Sequence, residues 1–300
     1  MHARPSTTPR HPLGACAAAL AGLLLAACAS VDVNDADLFV RHQQPMEAGW
    51  LAQAQARAAE SGAGLEQVQF RSADGTLLGG LFLRQPGARL TAVYFQGAGN
   101  IVQRSYPALL RDASQLPLNA LFWDYRGMGL SEGVGGTPQL MADAQAAVRE
   151  ARRLSGEALP LAYWGFSLGT LVSAHLAREL PPDALLLEGA LTTAQAWAEN
   201  QVPWYAKPFV SIRLADTVRG YDNHQALREL RRPTLMLVGS LDPASPPAFT
   251  HSLAQAMQHR DSCLRVVEVP EVAHGGALRK PEGLAAARAW LERGAARQGC

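Results

Sequence analysis

Apolar residues in this chain come in short blocks, and two spacings dominate. Short, mostly apolar stretches at 90–95, 119–123, 161–164, 184–187, 234–238 and 264–269 have the length of strands. Each is separated from the next by enough chain for a helical crossover. Between them, Leu140, Ala144, Ala147, Val148 and Ala151 recur at helical spacing, with Thr137 as the expected cap, Pro138 at the first position and Gly156 beyond the end. A second helix is expected from Leu168, where Leu171, Val172, Ala174, Leu176 and Leu180 share one face. Two further runs, 65–71 and 77–83, flank Ser72-Ala73-Asp74-Gly75-Thr76, whose Asp-Gly pair predicts a hairpin. The pattern describes an α/β protein: a mostly parallel twisted sheet opened by an antiparallel pair and covered by helices on both faces.

In such a sheet the chemistry sits outside the carboxyl ends of the strands. Taken in order, those ends carry Gln96-Gly97-Ala98-Gly99-Asn100, then Asp124-Tyr125-Arg126-Gly127-Met128-Gly129, then Ser167, Asp242 and His274. Ser167 lies in Gly165-Phe166-Ser167-Leu168-Gly169, between a strand and a helix. Small residues there allow a cramped turn that leaves a hydroxyl at its tip. The helix that follows aims its positive end at that hydroxyl, and the Leu168 amide becomes a candidate oxyanion donor. A second copy of the pattern, Gly129-Leu130-Ser131-Glu132-Gly133, follows a glycine-rich loop and precedes Val134-Gly135-Gly136-Thr137-Pro138 instead of a helix. Context therefore favours Ser167 over Ser131 as the nucleophile.

A serine, an acid and a histidine at strand ends, in that chain order, carry a resemblance. Together with Ser72-Ala73-Asp74-Gly75-Thr76, Asp124 to Ser131, Gly239-Ser240-Leu241-Asp242 and His274-Gly275, they make residues 65–293 similar to the α/β-hydrolase fold superfamily. Within it, the chain resembles single-domain serine hydrolases with a short cap, a group with depalmitoylase-like and S33/S9-peptidase-like members. The resemblance implies Ser167 as nucleophile, His274 as general base and Asp242 as the acid orienting the imidazole, with Glu188 as a rival acid one strand earlier. It implies an oxyanion hole from the amides of Leu168 and Ala98. Where the family usually has a histidine before this glycine, the chain has Gln96. Asp124, Tyr125 and Arg126 are expected to be structural, holding the floor of the site by hydrogen bonds. Residues 190–230 interrupt the alternation and carry Trp197, Trp204, Tyr205, Phe209 and Tyr221. They are expected to form a cap that lines an acyl pocket, or two helices that pack their aromatics into the core.

The first residues change the picture of where the protein works. Arg4 and Arg10 precede a stretch rich in Ala, Leu and Gly, too short for a convincing span, which reads as a secretion leader over 1–27. Leu25-Ala26-Ala27-Cys28 resembles the lipobox of bacterial lipoproteins, which implies acylation of Cys28. Ala29 and Ser30 after it, in place of an aspartate, point by the enteric sorting pattern to the periplasmic side of the outer membrane. Residues 28–64 read as a tether with a short helix around Trp50, Leu51, Ala54 and Ala58, ahead of a hydrolase domain over 65–300. With 1–27 removed, two arginines go and 25 basic face 26 acidic residues, a formal charge of −1. That balance offers no electrostatic case for nucleic acid. Cys263 and Cys300 remain in an oxidising compartment, either paired or free.

The expected activity is hydrolysis of carboxylic esters or thioesters, with acyl groups the leading substrate class, through an acyl-enzyme. No cofactor is implied, and the cysteines lack metal-ligand spacing. A peptidase or amidase of the same fold, with Glu199 as a possible anchor for a peptide terminus, is the alternative enzyme. A non-catalytic envelope lipoprotein that uses the fold for binding is the alternative of another kind.

Overall fold

The structure is a computed structural model, and it describes residues 29–39, 47–297 and 300. The expected leader, the candidate lipidation residue Cys28 and His42 lie outside the described residues. The described chain begins with β1 (Ala29–Val33), α1 (Asp35–Leu38) and α2 (Trp50–Ala59). The hairpin β2 (Gly64–Arg71) and β3 (Leu77–Arg84) follows, then β4 (Leu90–Phe95), α3 (Val102–Ala113), β5 (Leu118–Trp123), α4 (Thr137–Ser155), β6 (Leu161–Phe166), α5 (Leu168–Glu179) and β7 (Ala184–Glu188). An insertion holds α6 (Ala194–Asn200), β8 (Val210–Leu214), α7 (Asp216–Arg219) and α8 (Asn223–Leu227). The chain closes with β9 (Thr234–Gly239), α9 (Pro247–Ala256), α10 (Arg260–Cys263), β10 (Leu264–Val269) and α11 (Pro281–Ala295).

Eight strands form one sheet in the order β10-β9-β7-β6-β4-β5-β3-β2. β2 and β3 pair antiparallel, as do β3 and β5, and the remaining pairs are parallel. Every residue of β4, β5, β7 and β9 is buried, because helices cover both faces, and this is why those strands read as nearly continuous apolar runs. α4 and α5 help to close one core, and α2, α3 and α11 close the other. The hairpin turns at Gly75, whose φ of 86° suits glycine, while the Asp74 carboxylate accepts the Thr76 amide over 3.0 Å.

The start of α4 departs from the sequence expectation. Thr137 is the first helical residue, and its side chain caps nothing within the helix. Its amide donates to the Asp35 carboxylate over 2.9 Å and its hydroxyl over 2.5 Å, so a carboxylate from the N-terminal segment supplies the negative charge that a helix start favours.

β8 has no counterpart in the sequence reading. It pairs in parallel with β1 in a separate two-stranded sheet, from Ala29 opposite Val210 to Val33 opposite Leu214. The segment after Cys28 is thus built into the insertion. The aromatics of the insertion split, and neither expectation holds for all of them. Trp197 and Tyr221 pack on the core, whereas Trp204, Tyr205 and Phe209 are exposed. Cys263 and Cys300 are joined as a disulfide with Cα atoms 5.1 Å apart, tying the chain end after α11 to the start of β10.

Candidate active site

Ser167 sits where β6 stops and α5 begins, with φ 52° and ψ −118°. A non-glycine residue held there costs about 1–3 kcal/mol, so the surroundings must impose it. They do so through two glycines. A Cβ on Gly169 would run into the Phe95 carbonyl, and one on Gly165 would lie 2.7 Å from the Gly169 carbonyl oxygen. Their absence lets α5 press against the ends of β4 and β6. The Ser167 amide donates to the Glu188 carbonyl over 3.0 Å, and its own carbonyl accepts the Thr170 amide (2.9 Å) and hydroxyl (2.6 Å).

Ser131, the rival serine, is buried and fully engaged. Its hydroxyl donates to the Asp124 carbonyl over 2.6 Å and accepts the Gly79 amide over 2.9 Å. It fastens the 124–131 loop to β3 and has no lone proton to offer.

Beyond β10, the loop carrying His274 folds back on the loop after β9. His274 Nδ1 lies 2.8 and 3.0 Å from the two carboxylate oxygens of Asp242, which leaves Nε2 facing elsewhere. Asp242 also accepts the amides of Ala244 and Ser245, each at 2.9 Å, and the Ser245 hydroxyl at 2.8 Å. Burial works to raise its pKa, but the bonds from His274 and Ser245 hold the carboxyl below the usual range. The ring of Phe166, next to Ser167, lies 4.8 Å from the His274 ring at a tilt of 37°. That contact brings the serine turn and the histidine loop together. Among the described residues no hydrogen bond joins Ser167 to His274 directly.

Glu188 does not occupy the position beside the imidazole. Its Oε1 accepts the amides of Gly276 and Ala277, both at 3.0 Å, and so holds the loop that follows His274. Burial, and then the charge of Asp112, push its pKa up, while the two amides oppose them.

The loop after β4 faces the serine: a Cβ on Gly97 would lie 3.2 Å from the Ser167 Cβ. Among the described residues, the amides of Ala98 and Leu168 have no hydrogen-bond partner. Gln96 turns away from this site, its Nε2 donating to the Trp123 carbonyl (3.1 Å) and to Asp124 Oδ1 (3.0 Å). Asp124 further accepts the amides of Val102 and Leu130, both at 2.8 Å, while burial pushes its pKa up to about 6. Arg126 does not bond to Asp124. Its guanidinium forks between Asp74 (2.6 and 3.1 Å) and Asp143 (2.6 and 2.9 Å), with Thr76 beside them. The floor is held by two separate knots.

The remaining described histidines are engaged elsewhere: His175 lies on Tyr221, His224 on Ser252, His251 on Glu268 and His259 on Arg231. Several contributors had no mark in the sequence reading. Ser245, three residues after Asp242, fits an aspartate-turn pattern that could have shown it. Gly189, with φ 60°, would place a Cβ 2.8 Å from Ser245 Oγ and 3.1 Å from His274 Cε1, a proximity no local pattern records.

Known proteins resemble this chain in sequence and in fold. The α/β-hydrolase domain-containing protein WAV2 of Arabidopsis thaliana is 30% identical over 223 residues, covering 70% of this chain and 72% of that protein. The chain belongs to the α/β-hydrolase family. A family profile described as serine aminopeptidase, S33, matches residues 88–218. The lysophosphatidylserine lipase ABHD12 of Danio rerio is 29% identical over 151 residues, 46% of this α/β-hydrolase and 39% of that protein. The Pyrococcus furiosus esterase Pf2001 superposes with a TM-score of 0.58 over 86% of the chain and 96% of its own, at 14% identity, a likeness of fold.

Proposed function

We propose that this α/β-hydrolase is a serine hydrolase that cleaves carboxylic esters or thioesters of acyl groups from the cell envelope, where an acylated Cys28 tethers it on the periplasmic side of the outer membrane. The observation that carries the reading is the contact of Phe166 with His274, which sets the strained Ser167 turn against the His274–Asp242 pair. In the reaction, Ser167 Oγ attacks the acyl carbonyl carbon as its proton passes to His274 Nε2, with Asp242 facing Nδ1 and favouring the imidazolium. The amides of Ala98 and Leu168 receive the oxyanion. Collapse expels the alcohol or thiol, which takes the proton from His274 and leaves Ser167 acylated. Water, deprotonated by His274, attacks this ester and releases the carboxylic acid and the serine.

The acyl ester class draws support from the lipase and esterase names among the similar proteins. Labelling with a fluorophosphonate, with the modified peptide mapped by mass spectrometry, tests the nucleophile. An adduct on Ser167 that vanishes in Ser167→Ala and persists in Ser131→Ala is expected; no adduct, or one on Ser131, refutes it. A peptidase or amidase is the second reading, favoured by the S33 match over 88–218. A chain-length series of acyl esters set against aminoacyl amides separates the two.

A further inference from the structure

The described chain starts beside the tip of the insertion. β1 and β8 are parallel, and Ala29, the first described residue, lies opposite Val210, the residue that follows Phe209. The register is pinned by Ser30 Oγ to Ser211 Oγ (3.1 Å) and by Arg213 Nε to Asp32 (3.0 Å). The tip itself is one tight turn: the Ala206 and Lys207 amides donate to the Pro203 carbonyl, and the Phe209 amide to that of Ala206. Its aromatic side chains point outward, with Trp204 83%, Tyr205 64% and Phe209 49% exposed, and Lys207 exposed among them. Trp204 and Tyr205 meet edge to face at 5.9 Å, a pair held in water where the other aromatic pairs among the described residues are buried or half-buried.

Clustered exposed aromatics mark a surface built for a partner. Trp and Tyr with a neighbouring Lys suit the headgroup layer of a bilayer, where rings sit at the interface and the ammonium reaches water or anionic lipid. We infer that the 203–209 tip beds in the same bilayer that holds the acyl chains of Cys28, and so fixes how the hydrolase is oriented on the membrane. This rests on Cys28 being the acylated first residue of the mature protein. The orientation reaches the candidate site through Asn200 at the end of α6, whose Nδ2 donates to the carbonyls of Pro243 (2.8 Å) and Ala244 (3.2 Å) in the loop that carries Asp242. One side chain thus ties the helix that leads into the tip to the acid loop.

The test uses the full chain, processed in a bacterial host and reconstituted into vesicles of phosphatidylethanolamine and phosphatidylglycerol whose acyl chains are brominated near the headgroup. Of six tryptophans, Trp204 is the exposed one; Trp197 is half-buried and the others buried. Wild-type emission is expected to fall in brominated vesicles relative to unbrominated ones, and Trp204→Phe to lose that fall. Equal quenching in both proteins, or none in the wild type, overturns the inference. So does protection of Trp204 from acrylamide without bromine quenching, which would place a second copy or another segment of the chain over the tip. The mass of the mature N-terminus reads the anchor separately, and fluorophosphonate labelling reads the nucleophile, so each reading fails on its own measurement.

Discussion

The amide of Ser167 donates to the backbone carbonyl of Glu188 over 3.0 Å, and the Glu188 carboxylate accepts the amides of Gly276 and Ala277 just past His274. One residue at the end of β7 therefore holds the serine turn with its main chain and the histidine loop with its side chain. Replacing Glu188 by Ala leaves the buried Ala277 amide without an acceptor, at about 1–3 kcal/mol, and the half-buried Gly276 amide with it at a smaller cost. Loosening the histidine loop is expected to lower kcat about a hundredfold, the order of a misplaced catalytic group. Glu188→Gln retains an acceptor oxygen and should keep most of the activity. Since burial raises the Glu188 pKa, the folded state binds its proton more tightly than the unfolded state. Its contribution to stability is present at low pH and lost as pH rises through the raised value. Urea unfolding at pH 4, 6 and 8 should thus show Glu188→Gln gaining on the wild type as pH rises; a gap independent of pH would contradict the assignment.

Asp242→Asn reads out the acid. With the carboxylate gone from His274 Nδ1, the imidazole loses both its tautomer and its counter-charge, and kcat should drop by about 10⁴. Ser245→Ala removes one donor to that carboxylate and is expected to cost far less, about tenfold, which is the scale of one hydrogen bond to a charged group. Steady-state kinetics on one soluble ester, with KM followed alongside kcat, ranks the two. Equal losses would mean that Ser245 acts on substrate directly.

Gly189→Ala meets two obstacles at once. Its φ of 60° disfavours a side chain by about 1–2 kcal/mol, and the new methyl would lie 2.8 Å from Ser245 Oγ and 3.1 Å from His274 Cε1. A stability loss is expected together with a loss of fluorophosphonate labelling at temperatures where the variant is still folded. Labelling at the wild-type rate would show that the Asp242–His274 contact tolerates displacement.

Arg126 lies between Asp143, which is buried, and Asp74, which is half out in solvent. Arg126→Leu strands the Asp143 carboxylate in the core and should cost about 3–5 kcal/mol, whereas Asp74→Asn removes an exposed partner and should cost about 1 kcal/mol or less. Chemical denaturation of both variants checks the ranking. Similar losses would place the stabilisation at the exposed end of the fork.

Local rules in the chain were enough for much of this protein. Buried strands announce themselves by nearly continuous apolar runs, because helices cover them on both sides, and a parallel order with crossovers follows from the spacing. The Ser167 turn was legible for a related reason. A strained strand-to-helix bend excludes side chains at Gly165 and Gly169, so its constraint is written within five consecutive residues. Relationships between distant segments left no such trace. Whether Asp242 or Glu188 faces His274 depends on how the loops after β7, β9 and β10 meet at one sheet edge, and the sequence favours Asp242 only by its short polar loop while keeping Glu188 as a rival. The same holds for the pairing of β1 with β8: 181 residues separate Ser30 from Ser211, and neither strand buries enough apolar surface alone to be recognised. A residue type and its immediate neighbours determine what a segment can become. The contact between two segments is chosen by the packing of the whole chain, and only the folded structure decides it.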